Sequence, residues 1–273
     1  MAASPSTKEN RGQVMRILIT NDDGIAAPGL AVLEDIAQSL TPPSNIWTVA
    51  PAFEQSGVGH CISYTKPMMI QPRGPRRVAC DGYPADCVLA GVHEVMEDRP
   101  DLVLSGINRG NNSAENALYS GTLGAAMEGA LQGIPSIALS QYFGPQNAKL
   151  DDPFEAARAH SAEVIRNIQN AMPASQDGYQ LFFNVNIPPV PASDVKGVRI
   201  CPQGLRPGKR FRTEPLQSPS GRSFLWIRGG DQHVQTAAGT DASMNLGGYI
   251  SVTPMRADLT AHDLLDTFGS LNT

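Results

Sequence analysis

Little in this 273-residue chain commits it to a membrane, to nucleic acid or to an oxidising compartment. No apolar run approaches the roughly 20 residues needed to cross a bilayer. The first fourteen residues, MAASPSTKENRGQV, lack the apolar stretch of a secretory signal and read as a disordered leader. The expected location is the cytoplasm, with no membrane partner. Lys and Arg number 21 against 26 Asp and Glu, a net charge of -5, and the cations are scattered along the chain. That balance offers no basic footprint for a polynucleotide. The four cysteines, Cys61, Cys80, Cys87 and Cys201, include no C-x-x-C pair and read as buried free thiols, not as a zinc site.

Several common catalytic signatures are missing as well. There is no G-x-x-x-x-G-K-[ST] phosphate loop and no G-x-G-x-x-G after a strand, so neither a Walker-type nucleotide site nor a dinucleotide fold of the usual kind is indicated. Leu118 stands where a G-x-S-x-G elbow around Ser120 would need glycine, which disfavours a serine hydrolase. His93-Glu94 is not followed by the second histidine of a zincin, and His160, His233 and His262 have no partner at ligand spacing. These read as structural or solvent-facing; His60, in a Gly- and Ser-containing loop, is the least secure of that group.

What is present begins with RILITNDDGIAAPGL. Ile17-Leu18-Ile19-Thr20 is too short for a helix and shows no polar alternation, so it reads as a strand covered on both faces. Pro28 and the spacing of Leu30, Leu33, Ile36, Ala37 and Leu40 predict a helix after Gly24. The unit is strand, acidic turn, helix. It recurs: NIWTVAP is a second buried strand, PADCVLAGVHEVMED a helix with Val88, Leu89, Val92 and Met96 on one face, and PDLVLSGINRGNN a strand breaking into a polar turn. MMIQPRGPRRVACDG predicts a small hairpin turning at Arg73-Gly74-Pro75. YSGTLGAAMEGALQGIPSIALS predicts a helix with Leu123, Met127, Ala130 and Leu131 inward, then a strand; a helix from about Pro153 to Ala171 and the strand YQLFFNVNIP follow. Past Pro188 short strands with Pro/Gly turns read as antiparallel hairpins, closed by a helix in TAHDLLDTF. The expected architecture is α/β: a Rossmann-like, doubly wound, mostly parallel core over 15–187, then a β-hairpin-rich C-terminal part over 188–273 with a terminal helix.

Three of these strands end in unusual polar clusters: Asn21-Asp22-Asp23-Gly24, Gln55-Ser56-Gly57, and Ser105 to Asn112. Ligands of open α/β sheets bind beyond the carboxyl ends of the strands. Two adjacent carboxylates about 4 Å apart repel by roughly 4 kcal/mol at an effective dielectric near 20, so a cation or a shared proton would relieve the Asp pair. An acidic turn capping the helix is the alternative. If the strands are neighbours, Asp22, Asp23, the Ser56 hydroxyl and the Asn108 amide oxygen form a hard oxygen set, suited to Mg²⁺, Mn²⁺ or Ca²⁺. Singly, Ser56 and Asn108 would more often satisfy turn backbone. Ser120-Gly121-Thr122 opens a helix, where free N–H groups and the positive dipole end favour an anion such as phosphate.

With these motifs in view, the chain resembles the SurE family, the stationary-phase survival proteins that are 5'/3'-nucleotidases. The resemblance rests on the Asp pair, the Ser-Gly loop, SGINRGNN, YSGTLGAAMEG, GIPSIALS and GTDASMNLGGYISVTPMRADLT, and spans about Met15 to Phe268. It implies a metal-dependent phosphomonoesterase acting on nucleoside monophosphates, with short polyphosphate as an additional substrate. It also implies a C-terminal hairpin and helix used for subunit exchange, and a homodimer or homotetramer. Carried over by position, its metal ligands fall on Asp22, Asp23, Ser56 and Asn108, for one divalent ion, Mg²⁺ or Mn²⁺, with Ca²⁺ also able to occupy the site. Its phosphate contacts fall on Asn112, Ser120, Gly121 and Thr122. Asp22 and Asp23 are also the candidate catalytic residues; sequence does not decide between attack by an aspartate and attack by water. A haloacid-dehalogenase-type phosphatase needs D-x-D spacing, which adjacent aspartates do not supply. A non-catalytic nucleotide- or metal-binding module on the same crevice is the rival from another class.

Overall fold

The computed structural model describes residues 14–173, 178–208 and 211–272; the leader read at 1–14 lies outside them except for Val14. In chain order the elements are β1 (Ile17–Thr20), α1 (Pro28–Gln38), β2 (Ile46–Pro51), β3 (Ile70–Gly74), β4 (Arg77–Cys80), α2 (Pro84–Ala90) and β5 (Leu102–Arg109). There follow α3 (Gly121–Leu131), β6 (Ser136–Gln141), α4 (Glu155–Ala171), β7 (Phe182–Ile187), β8 (Val198–Ile200), β9 (Arg212–Gln217), β10 (Ser223–Arg228), α5 (Asp241–Leu246) and β11 (Ile250–Met255). Nine strands form one sheet in the order β3-β4-β2-β1-β5-β6-β7-β11-β8, and β9 and β10 pair as a separate antiparallel hairpin.

The unbroken apolar character of β1 has its cause in this layering. Ile17 and Ile19 pack into one core cluster, with α1 and α4, and Leu18 into the other, with α2. All three are fully buried, each contributing about 1.5–3 kcal/mol relative to exposure. β1 is parallel to β2 on one side and β5 on the other, with Ile17 opposite both Ile46 and Leu102. The segments after β1, β2 and β5 therefore leave the sheet side by side at the same edge. This adjacency is what the three polar clusters require.

The C-terminal strands join the molecule in two ways. β11 runs antiparallel to β7 and parallel to β8, so both belong to the central sheet; Val198–Ile200 is thus not half of a hairpin, as its surroundings had predicted. Among the described residues only β9 and β10 form one there, and β3 with β4 forms the smaller hairpin expected near Gly74. The TAHDLLDTF segment is not α-helical; it carries 3-10 turns at His262–Leu264 and Asp266–Leu271. Leu131, expected inward, is 42% exposed. The buried face of α3 is made of small residues such as Gly124, Ala125, Ala126 and Ala130, and Leu131 in the last turn points away from it. Among the described residues no helix is long and apolar enough to cross a membrane.

Candidate active site

A cavity of about 730 Å³ lies at the carboxyl edge of β1, β2 and β5, and Asp22, Asp23, Ser56, Asn108, Asn112 and Ser120 all line it. Gly121 and Thr122 are placed behind Asp22 instead of on the cavity wall. The acidic turn is closed by Asn21, whose Nδ2 donates to the Gly24 carbonyl at 2.9 Å while its Oδ1 accepts from the Gly24 N–H at 3.2 Å. Gly24 has φ +100°, a left-handed conformation costly for any residue with a Cβ. Nothing in the Asn21-Asp22-Asp23-Gly24 sequence alone marks this role of Asn21, although Asx side chains bonding their own turn are a known signal.

Asp22 is 5% exposed, and the Thr122 hydroxyl donates to its Oδ1 at 2.6 Å. Burial pushes its pKa up to about 6; the Thr122 hydrogen bond opposes this, and the neighbouring charge of Asp23 adds to it. The helix start behind Asp22 is close enough that a Cβ on Gly121 would stand 2.9 Å from Asp22 Cβ. Only glycine lets the positive end of α3 abut the carboxylate in this way. Asp23 Oδ2 accepts from the Arg109 backbone N–H at 3.1 Å. Its pKa is raised chiefly by burial, with Glu54 adding to the shift and Arg109 opposing it.

The Ser56 loop is held against this turn by the Gln55 N–H, which donates to the Asp22 carbonyl at 2.7 Å, and further along by the Gly59 N–H on the Tyr119 carbonyl at 3.0 Å. Ser56 donates its hydroxyl to Glu54 Oε1 at 2.6 Å, which leaves its oxygen lone pairs for an incoming cation. Asn108 donates Nδ2 to the Gly110 carbonyl at 2.9 Å, and its Oδ1 has no hydrogen-bond donor among the described residues. His60 belongs to the loop's support: its Nε2 lies 2.7 Å from Glu128 Oε2 on α3.

The remaining candidates are set by α3 and by β7. Ser120 caps α3, accepting the Leu123 N–H at 3.1 Å. Asn112 is buried in an amide network: its N–H donates to Asn186 Oδ1 at 2.7 Å, its Nδ2 to Ser140 Oγ at 2.8 Å, and its carbonyl accepts from Asn184 Nδ2 at 2.9 Å. Glu54, Tyr119, Phe211, Ile227 and Gln232 also line the cavity. Residues around the β9–β10 hairpin carry no local chemical signature, so nothing in the sequence marked them.

The donor set fits a divalent, oxygen-preferring cation. Two desolvated carboxylates, neither in a salt bridge with a described residue, leave negative charge that burial makes unfavourable and a cation would offset. Among the described residues no three His, Cys, Asp or Glu side chains group as a metal site; here only two of the four donors are carboxylates, and the hydroxyl and amide oxygens complete the set.

The family model described as "Survival protein SurE" matches residues 17–210. The chain belongs to the SurE family. It is similar to the protein named 5'-nucleotidase SurE of Roseobacter denitrificans, 64% identical over 261 residues, covering 95% of this chain and 100% of that protein. Its similarity to the 5'-nucleotidase SurE of Ruegeria pomeroyi is 66% identity over 254 residues, 92% of this chain and 98% of that one. Among solved structures, the SurE protein from Aquifex aeolicus is 34% identical, covers 94% of this chain and 100% of its own, and superposes with a TM-score of 0.78. The α/β fold described above is thus shared with a solved SurE structure.

Proposed function

We propose that this SurE-family chain is a metal-dependent phosphomonoesterase that hydrolyses nucleoside 5'-monophosphates, and also 3'-monophosphates and short polyphosphate, to release phosphate. The observation that carries the reading is the arrival of Asp22, Asp23, Ser56 and Asn108 at one cavity from three adjacent parallel strands. The naming of relatives above 60% identity as 5'-nucleotidases supports the substrate class.

Those four residues would hold one Mg²⁺ or Mn²⁺. Such an ion, when bound, supplies Lewis-acid stabilisation of the charge that develops on the phosphoryl oxygens. The chain's own contribution is orientation and charge placement. Thr122 fixes one oxygen of Asp22, and the Arg109 N–H fixes one of Asp23. Ser120 caps the α3 N-terminus, whose outward N–H groups and dipole favour a phosphate lying over the cavity wall formed by Ser120 and Asn112. The Asn112 backbone is locked by Asn184 and Asn186, so that wall needs little reorganisation when charge develops against it.

A homodimer or homotetramer accompanies this reading. The hairpin exposes Phe224, Leu225, Trp226 and Ile227 by 52 to 66% of their surface, an apolar patch of the kind that marks an interaction site. Light scattering coupled to gel filtration reads the oligomer directly.

The deciding experiment is phosphate release from a panel of 5'- and 3'-nucleoside monophosphates and tripolyphosphate, after EDTA treatment and after adding back Mg²⁺ or Mn²⁺. Hydrolysis restored by metal in the wild type and absent in Asp22→Asn supports the proposal. No release from any substrate with any metal overturns it.

A further inference from the structure

We propose that Glu54 is a positioning residue of the candidate metal site: it draws the proton of the Ser56 hydroxyl to itself, so that the serine oxygen meets the cation with a lone pair. The inference rests on the reading of Asp22, Asp23, Ser56 and Asn108 as cation donors. It adds the group that prepares Ser56, the one of the four whose donor atom also carries a proton.

A serine hydroxyl has one proton and two lone pairs, and it rotates to suit its partners. It serves a cation only with the proton turned away. Competing acceptors stand nearby, because Asp22 and Asp23 line the same cavity as Ser56. A proton given to either aspartate would occupy a carboxylate oxygen that the cation needs. Ser56 instead donates to Glu54 Oε1 at 2.6 Å, the short distance of a hydroxyl bonded to an ionised carboxylate, a bond roughly twice as strong as one between neutral groups. Accepting that proton also makes the serine oxygen more basic, as the outer partners of metal ligands do.

The loop keeps this pair beside the aspartates. It is pinned to the acidic turn on both sides of Glu54: the Ile25 N–H donates to the Pro51 carbonyl at 2.7 Å, and the Gln55 N–H to the Asp22 carbonyl at 2.7 Å. Between these bonds the Glu54 backbone packs on Gly24, where a Cβ would stand 3.4 Å from Glu54 N. The Glu54 carboxylate has no other hydrogen-bond partner among the described residues than the Ser56 hydroxyl. Arg109, the cationic side chain lining the cavity with it, lies instead over the Phe143 ring, 5.7 Å from its centroid. Glu54 is exposed, so replacing it leaves the core intact.

The test is calorimetric titration with Mn²⁺, in the absence of substrate, of the wild type, Glu54→Ala, Glu54→Gln, Ser56→Ala and the double variant Glu54→Ala with Ser56→Ala. Glu54→Ala is expected to raise the Kd for Mn²⁺ about tenfold or more, the scale for losing a partner of a metal ligand. Glu54→Gln, whose amide oxygen still accepts the hydroxyl, should lie between Glu54→Ala and the wild type. In the Ser56→Ala background, Glu54→Ala should change Kd by less than about threefold, because two residues that act through one contact are not additive. An unchanged Kd in Glu54→Ala overturns the inference. So do equal losses in Glu54→Gln and Glu54→Ala, or a full loss that persists without the Ser56 hydroxyl, since either shows the Glu54 charge acting on the ion directly. The Glu54→Gln comparison decides if Ser56→Ala binds too weakly to measure. A wild type that binds no Mn²⁺ overturns the reading of the site itself, and is seen before any variant is made.

Discussion

The Thr122 hydroxyl donates a hydrogen bond of 2.6 Å to Asp22 Oδ1 from the first turn of α3. It orients the more buried carboxylate of the pair and stabilises its ionised form, against the burial that opposes ionisation. Hydrogen bonds to charged groups are worth about 1.5–3 kcal/mol. Thr122→Val, which keeps the shape and removes the donor, is therefore expected to raise the Mg²⁺ or Mn²⁺ concentration giving half-maximal activity by about tenfold or more. Thr122→Ser should restore most of the wild-type value. A metal titration of all three proteins checks this, and equal half-saturation in Thr122→Val would remove Thr122 from the site.

Asp22→Asn separates function from stability. The substitution keeps the side-chain shape and a hydrogen-bonding oxygen for Thr122, but it removes a charge that is 5% exposed and ion-paired with no described residue. Phosphate release should fall by about 10²-fold or more, the scale seen when one stabilising group is lost from a catalytic site. In EDTA the variant should unfold at a temperature equal to or above that of the wild type, since an uncompensated buried charge is unfavourable. Added Mg²⁺ or Mn²⁺ should raise the melting temperature of the wild type and leave that of Asp22→Asn unchanged. Thermal melts in the two conditions measure all of these effects.

The candidate site was largely legible in the sequence because its residues follow directly from strand endings. β1 and the starts of β2 and β5 are apolar runs, and a polar cluster follows β1 and β2, whereas β5 runs on through Asn108 to Arg109 instead of breaking after Leu104; once these strands are adjacent, Asp22, Ser56 and Asn108 share an edge. The partners that tune those residues were not legible, because they are joined only by the fold. Thr122 lies 100 residues from Asp22, and Glu54, which accepts the Ser56 hydroxyl, carries no mark of that role. The place of β8 in the sheet is hidden in the sequence for a related reason. All three of its residues are exposed, and its pairing with β11 is made by a strand fifty residues away. Arg206 is likewise unmarked in the sequence, yet its side chain is 3% exposed.

The pair formed by His60 and Glu128 gives a pH-dependent contribution to stability. Burial alone would raise the pKa of Glu128, but the hydrogen bonds from His60 and Gln132 outweigh it and the net shift is downward. A carboxyl depressed in the folded state stabilises the fold above its unfolded value, 4.5 here, and loses that contribution as pH falls through the folded pKa. His60→Ala should thus cost about 1–3 kcal/mol between pH 5 and 7, and progressively less below about pH 4 as Glu128 protonates in both proteins. Urea unfolding across that range checks the sign. A cost that grew on acidification would show that the two side chains do not support each other.

Arg206 and Asp241 reach the site from the C-terminal half and hold the segment that carries Asn111, Asn112 and Asn116. The Arg206 guanidinium donates to the Ser113 carbonyl at 3.0 Å, to Ser113 Oγ at 2.8 Å and to Asn111 Oδ1 at 3.3 Å, and pairs with Glu115 at 3.3 Å. Asp241 Oδ2 accepts the N–H of Ala114, whose φ of +53° is unusual for a residue with a Cβ. Removing one side of this clamp leaves buried acceptors unsatisfied, at about 1–3 kcal/mol each, and frees a wall of the candidate active-site cavity. A displacement near 1 Å at a reacting centre can cost about 10²-fold in rate. Arg206→Met is expected to lower kcat at least tenfold, with a smaller change in KM, and to reduce the melting temperature. Arg206→Lys, which keeps the charge but not the fork that reaches Ser113 and Asn111 together, should recover part of the stability and little of the kcat. Full recovery of kcat by lysine would mean that the buried charge matters and the positioning of the Asn111 to Asn116 segment does not.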